Sequence, residues 1–272
     1  MRFTPARRRG VEILDDPSHD PALAVRSLRD VAKANRLFGG RRAVLREVDR
    51  ALVRARSRDT QAAPQSRSRT PAPERILLDI GTGIGDIPSA AARAAARRGV
   101  RLSTIGLELE GELARAAQPA CTWALVGDAL QLPFADASID IVTVSQVLHH
   151  FEGDAADQLL RECTRVARDA VVVADLRRSW FAVAGLWCSS FVLGFHPVSR
   201  NDGVVSILRG YTASELAALV QRATGAVPVV RHALGWRVTA VWARGSNAAA
   251  SSSIAFGTPR SVNGARTASH AS

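Results

Sequence analysis

The stretch Ile76-Leu77-Leu78-Asp79-Ile80-Gly81-Thr82-Gly83-Ile84-Gly85-Asp86 constrains this chain more than any other. A short, almost wholly apolar run reads as a strand buried on both faces, as in a parallel sheet. Three closely spaced glycines follow, where the backbone can turn tightly and a ligand can approach without meeting a Cβ. An alanine-rich helix starting near Asp86 would aim its free N–H groups at the same spot. The stretch therefore predicts a strand–turn–helix cradle for a nucleoside-containing ligand. The spacing is G-x-G-x-G, not the G-x-G-x-x-G of a dinucleotide site, and Asp86 stands where that pattern has its last glycine. An acid there opposes a pyrophosphate and suits a ligand carrying positive charge.

From Glu74 to about Arg244 strand and helix patterns alternate. After the first strand, strands are expected at Ser103–Glu108, Thr122–Gly127, Ile139–Ser145 and Ala170–Asp175. Helices are expected over 86–98, 110–117, 154–168 and 213–223. Val227–His232 and Arg237–Trp242 have no helix between them and read as an antiparallel hairpin through Leu234-Gly235. This order predicts an α/β domain with a mostly parallel sheet, helices on both faces and a closing hairpin. Ligands in such sheets sit beyond the carboxyl ends of the strands.

The glycine stretch resembles motif I of the class I S-adenosylmethionine-dependent methyltransferases, and the closing hairpin sets that class apart from dehydrogenases. Leu132-Pro133-Phe134-Ala135-Asp136-Ala137-Ser138-Ile139-Asp140-Ile141-Val142 is similar to a passage of the small-molecule, ubiquinone/menaquinone-biosynthesis type, with Ile139 in place of the usual Phe. The resemblance covers roughly Glu74 to Val173. It implies S-adenosylmethionine as cofactor, held by Asp79, Gly81, Thr82, Gly83, Gly85 and Asp86. Glu108, at the end of the second strand, would take the ribose hydroxyls, with Leu109 beside it. Asp128 and Ala129 would meet the adenine, and Ser145 and Gln146 would border the methionine end. As plain structure, Glu108 is a surface acid, a reading its place at the strand's end makes the weaker one, and Asp128 caps the turn before Pro133, which is compatible with meeting the adenine.

His149 and His150 are the general-base candidates, because imidazole titrates near neutral pH; each reads equally well as a packed or capping histidine. The apolar run Trp180–Phe195 is too short and interrupted for a membrane span. It reads as a buried helix or as a wall of a hydrophobic pocket. The polar loop expected from His196 to Gly203, and Tyr211 after it, would supply the acceptor side through His196, Arg200 and Tyr211; the plain alternative is a surface loop.

Four segments are expected: an N-terminal helical lid over 1–56, a flexible linker over 57–73, the methyltransferase domain over 74–245 and a Ser/Ala/Gly-rich tail over 246–272. The net charge of +11 is concentrated ahead of the core, since residues 1–75 hold 18 basic and 9 acidic side chains. The N-terminal arginines alternate with acids, and aromatics make up only 5%, which argues against a nucleic-acid partner. Cys121, Cys163 and Cys188 form no C-x-x-C, so no metal site or disulfide framework is expected, and a reduced, cytoplasmic setting fits. The expected function is methyl transfer to a small molecule, an oxygen on an aromatic, quinone-like or polyketide-like acceptor first and carbon or nitrogen second, as in secondary metabolism. The rivals are an RNA or protein methyltransferase recruited by the basic N-terminus and a non-catalytic cofactor-binding protein.

Overall fold

A computed structural model describes residues 4–8, 10–16, 20–62 and 74–244. Most of the expected linker (63–73), the tail and residue 245 lie outside the described residues, as do Met1–Phe3.

Among the described residues, seven strands form one sheet: β1 (Arg75–Ile80), β2 (Leu102–Glu108), β3 (Trp123–Val126), β4 (Ile139–Ser145), β5 (Ala167–Leu176), β6 (Val229–Ala233) and β7 (Arg237–Trp242). Their order is β3-β2-β1-β4-β5-β7-β6. The first five are parallel to one another, and β7 runs antiparallel to β5 and β6. Among the described residues, eight α-helices accompany them: α1 (Pro21–Leu37), α2 (Gly40–Ala62), α3 (Asp86–Ala96), α4 (Gly111–Ala117), α5 (Gly153–Val166), α6 (Trp180–Val192), α7 (Pro197–Arg209) and α8 (Ala213–Thr224). β5 starts three residues before the expected Ala170, directly after α5.

The central strands read as unbroken apolar runs because successive side chains enter two different cores. Leu77, Ile141 and Val172 pack with Val44, Val48 and Leu52 of α2 and Ile87 and Ala91 of α3. Leu78, Val142, Val144, Val171 and Val173 pack with Leu159 and Leu160 of α5 and Leu216 and Val220 of α8. The β1–β4 step, where the order reverses, puts the glycine loop at the carboxyl edge beside the end of β4.

Two expectations change. The N-terminal helical pair is not a single lid, because α2 is a layer of the core while α1 lies over the carboxyl edge. The break between them is at Gly39, whose φ of 85° only glycine adopts readily. Residues 57–62 are helical rather than linker. Arg58 pairs with Asp169 at 2.8 Å, and Asp59 pairs with Arg75, which also reaches Asp140 at 2.9 Å. These pairs carry the last turn of α2 onto the amino edge of the sheet.

The expected polar loop from His196 to Gly203 is the first half of α7. His196 caps it, its Nδ1 accepting from the Val198 N–H at 3.3 Å, and Pro197 fills the first helical position. The segment lacks apolar periodicity because buried Asp202 serves the N-terminal strap: its carboxylate accepts the backbone N–H groups of Ile13 and Leu14 at 2.9 and 3.1 Å.

Candidate functional site

β1 delivers the chain into Gly81, Gly83 and Gly85, all with φ between 61° and 73°. At Gly81 the requirement is also steric, since a Cβ there would lie 2.4 Å from a methyl of Val147. Gly83 faces Leu28 of α1, whose Cδ2 would be 3.4 Å from an added Cβ. α1 therefore roofs the loop, and a cavity of about 720 Å³ lies beneath it. Gly81, Glu108, Leu109, Asp128, Ala129 and Gln146 line one end, and His149 and His150 stand further along. α6 and α7 wall the far side with Ala182, Gly185, Leu186 and Ile207.

Three carboxylates cluster at the loop. Asp79 is buried, accepting from Thr143 Oγ1 at 2.5 Å and Thr82 Oγ1 at 2.9 Å, and burial pushes it up to about 7. Glu108 accepts the Gly83 N–H, and burial, reinforced by Asp79 and Glu110, likewise raises it to about 7. Burial also raises Asp86, against the pull of Arg41, and its Oδ2 is buried with no hydrogen-bond partner. Acids desolvated together in this way favour a cationic ligand. An ammonium and a sulfonium, with ribose hydroxyls for Glu108, match that demand; a pyrophosphate does not.

Along the cavity, β5 ends with Asp175 under His149. The buried carboxylate lies 2.7 Å from His149 Nδ1 and also accepts the His149 backbone N–H at 3.1 Å. With Asp175 ionised, this contact is a hydrogen bond donated by Nδ1–H, and Nε2 is the ring nitrogen left free of it. Nε2 is buried, has no hydrogen-bond partner and stands 3.7 Å from Glu12 Oε1. Burial favours a protonated Asp175, but the charge and hydrogen bond of His149 hold it below its ordinary value. His150 points to the N-terminal strap, with its Nδ1 3.1 Å from Asp15. Burial lowers His150, yet Asp15 and Glu12 raise it overall. One donor atom each from Glu12, His149 and His150 falls within 4.8 Å, a possible metal triad, but Arg209 already places a cation 3.1 Å from Glu12 Oε1.

The other expected residues fall elsewhere. Ser145 ends β4 and does not line the cavity, while Gln146 does; its φ of 57° turns its amide to Asn35 of α1 at 2.6 Å. Asp128 accepts the Leu130 N–H at 2.8 Å, realising the turn-capping reading, and its side chain still borders the cavity. His196, Arg200 and Tyr211, expected on the acceptor side, do not line the cavity. His196 is engaged as a cap. Arg200 bonds Ser190 Oγ at 2.8 Å and lies over Phe191. Tyr211 is buried, which raises its hydroxyl to about 12, and it donates to the Leu148 carbonyl at 3.3 Å. Glu12, Asn35, Asp175 and Arg237 were not read from the sequence. Only Asp175 carried a signal, as an acid ending a strand at the same edge as Glu108.

Comparison with known proteins agrees with this geometry. Residues 78–174 match the family model described as a methyltransferase domain. The match starts in β1 and ends in β5, spanning the glycine loop, Glu108, Asp128 and His149. Residues 78–174 are a class I S-adenosylmethionine-dependent methyltransferase domain. The chain is 35% identical over 98 residues to the demethylmenaquinone methyltransferase of Thermotoga maritima, an alignment spanning 35% of this chain and 40% of that protein. It thus spans less than half the length of the curated relative it matches. A structure titled as a SAM-dependent methyltransferase from Aquifex aeolicus superposes with a TM-score of 0.51 at 14% identity, covering 82% of this chain and 98% of that one. The methyltransferase domain and its cofactor, S-adenosylmethionine, account for the acid-lined glycine loop. Among the described residues, no helix is long and apolar enough to cross a membrane.

Proposed function

We propose that the protein transfers a methyl group from S-adenosylmethionine to a small, largely apolar acceptor held between the glycine loop and α6. The observation that carries this reading is the single cavity joining two centres, the carboxylates at the strand ends and the Asp175–His149 pair. Its far wall is built of Ala182, Gly185, Leu186 and Ile207, which suits an aromatic, quinone-like or polyketide-like ring. The demethylmenaquinone methyltransferase relative supports an acceptor of that class.

When bound, the cofactor supplies an electrophilic methyl on a sulfonium. Glu108 would hold the ribose hydroxyls, and the glycine loop at Gly81, backed by the buried carboxylates of Asp79 and Asp86, would receive the cationic end. His149 Nε2 would take the proton of an acceptor hydroxyl, and that oxygen would receive the methyl group from the bound cofactor. Asp175 keeps Nδ1 protonated and stabilises the resulting imidazolium. α1 roofs the site and excludes water, since Leu28 and Asn35 contact the loop and Gln146. Much of the rate arises from holding acceptor and methyl in line. The protein acts in the cytoplasm, without nucleic acid as partner, in secondary metabolism.

The test is transfer of a labelled methyl group with a metabolite extract and total RNA assayed in parallel. Label in organic-extractable small molecules supports the reading. Label confined to RNA or protein, or cofactor binding with no transfer to any fraction, overturns it.

A further inference from the structure

α6 is built inside out for a helix on a water-facing surface. Its thirteen residues, WFAVAGLWCSSFV, include no charge. Small residues, Ala182 and Ser190, are buried, whereas Trp187, Phe191 and Val192 are 49%, 56% and 88% exposed and Trp180 is 43% exposed. Trp180, Trp187 and Phe191 recur at helical spacing and form one apolar stripe facing outward, with Val192 flanking it.

Cations border that stripe. The Arg200 guanidinium lies 3.6 Å from the centre of the Phe191 ring and 5.5 Å from that of Trp187. Arg8 stands 5.6 Å from the Trp180 ring. Aromatic rings flanked by long cationic side chains match the boundary between lipid headgroups and acyl chains, where rings sit at headgroup depth and cations meet phosphates. A helix of this length cannot span a bilayer but can lie in its surface. A second copy of the chain fits less well, because two-fold pairing of this face would bring Arg8 and Arg200 toward their own copies.

We infer that α6 docks the protein on an anionic phospholipid surface, with Trp187, Phe191 and Val192 inserted and Arg8 and Arg200 paired with headgroup phosphates. The opposite side of the same helix, at Ala182, Gly185 and Leu186, walls the cavity. On the proposed reading of that cavity, a lipophilic acceptor would then reach the methyl donor from the bilayer across one helix. The docking itself requires no methyl transfer and is tested without it.

The experiment is co-sedimentation of the full chain with extruded vesicles, either phosphatidylcholine alone or mixed equally with phosphatidylglycerol. Binding to the anionic vesicles with a blue shift in tryptophan emission, weakening as salt rises from about 0.1 to about 0.5 M, is expected. Trp187→Glu combined with Phe191→Glu should lower the partition coefficient at least about tenfold while S-adenosylhomocysteine affinity stays unchanged. The milder Arg200→Gln should weaken anionic binding and leave phosphatidylcholine binding unaltered. Wild-type protein that stays in the supernatant with anionic vesicles overturns the inference. So does a cofactor-binding double variant that partitions like wild type, or a wild-type dimer made monomeric by the same substitutions without any vesicle binding.

Discussion

Glu108→Gln is the most informative single change, because it separates cofactor recognition from folding. In the free protein Glu108 titrates near 7, so it is about half protonated at neutral pH. Only the carboxylate accepts both ribose hydroxyls and the Gly83 N–H. If binding requires the ionised form, affinity is reduced by the fraction ionised, to about one-eleventh of its limit at pH 6 and barely at all at pH 8. S-adenosylhomocysteine should therefore bind wild-type protein about tenfold more tightly at pH 8 than at pH 6, releasing a proton on binding. Glutamine removes the charged acceptor, worth roughly 1.5–3 kcal/mol, so affinity at pH 8 should fall by a factor of about 10–150. The pH dependence should also flatten, leaving only what Asp79, also near 7, contributes. Titration calorimetry in two buffers of different ionisation enthalpy reads both affinity and proton release. A Gln variant within about threefold of wild type at pH 8, with the same slope, would refute the assignment. The apo protein adds a check on sign: a carboxyl raised above its ordinary value loses folding stability as pH climbs from about 4.5 to about 7, and the Gln variant should lose less.

Other expectations follow from the same geometry. His149→Ala should lower kcat by roughly 10²–10⁴ with cofactor affinity unchanged, and Asp175→Asn should shift the pH profile of kcat; a loss below about threefold would mean that positioning alone carries the reaction. Leu52→Ala in α2 should cost about 2–4 kcal/mol in chemical denaturation, whereas a detachable lid would lose almost none. His150, raised by Asp15 and Glu12, contributes stability that is full below about 6.5 and lost as pH rises through its folded value. Asp15, held below its ordinary value by His150 and Arg209 against the effect of burial, contributes above about 3.8 and is lost in acid. Hydrogen exchange at Ile13–Asp15 should therefore be slowest between those limits in wild type and lose that optimum in Asp15→Asn.

The glycine loop and the strands were legible because each obeys a local rule: a two-faced apolar run, a positive φ, an acid at a strand's end. Ile139–Ser145 forms the strand expected of it, and the closing hairpin runs from Val229 to Trp242. What escaped the sequence depends on distant partners. The last turn of α2 at Ser57–Ala62 looks like a linker because its order comes from Asp169 and Arg75, which lie far along the chain. The helix at Pro197–Arg209 looks like a loop because Asp202 is buried to hold backbone groups of Ile13 and Leu14. His149 was legible as a titratable group, but its partner was not, since Asp175 is 26 residues away and meets it only through the β4–β5 pairing. Tyr211 and Arg200 carried the right chemistry for a substrate site, yet the Tyr211 hydroxyl and Arg200 Nε bond within the fold, and the Arg200 guanidinium lies over Phe191, away from the cavity.

The acid-lined glycine loop should bind a cationic nucleoside and not a dinucleotide. Calorimetric titration of the full chain with S-adenosylhomocysteine and, separately, with NAD tests it most directly. S-adenosylhomocysteine should bind saturably, Gly83→Val should abolish that binding, and NAD should give no measurable heat at the same concentrations. NAD binding more tightly than S-adenosylhomocysteine, or S-adenosylhomocysteine binding undiminished in a folded Gly83→Val variant, would contradict it.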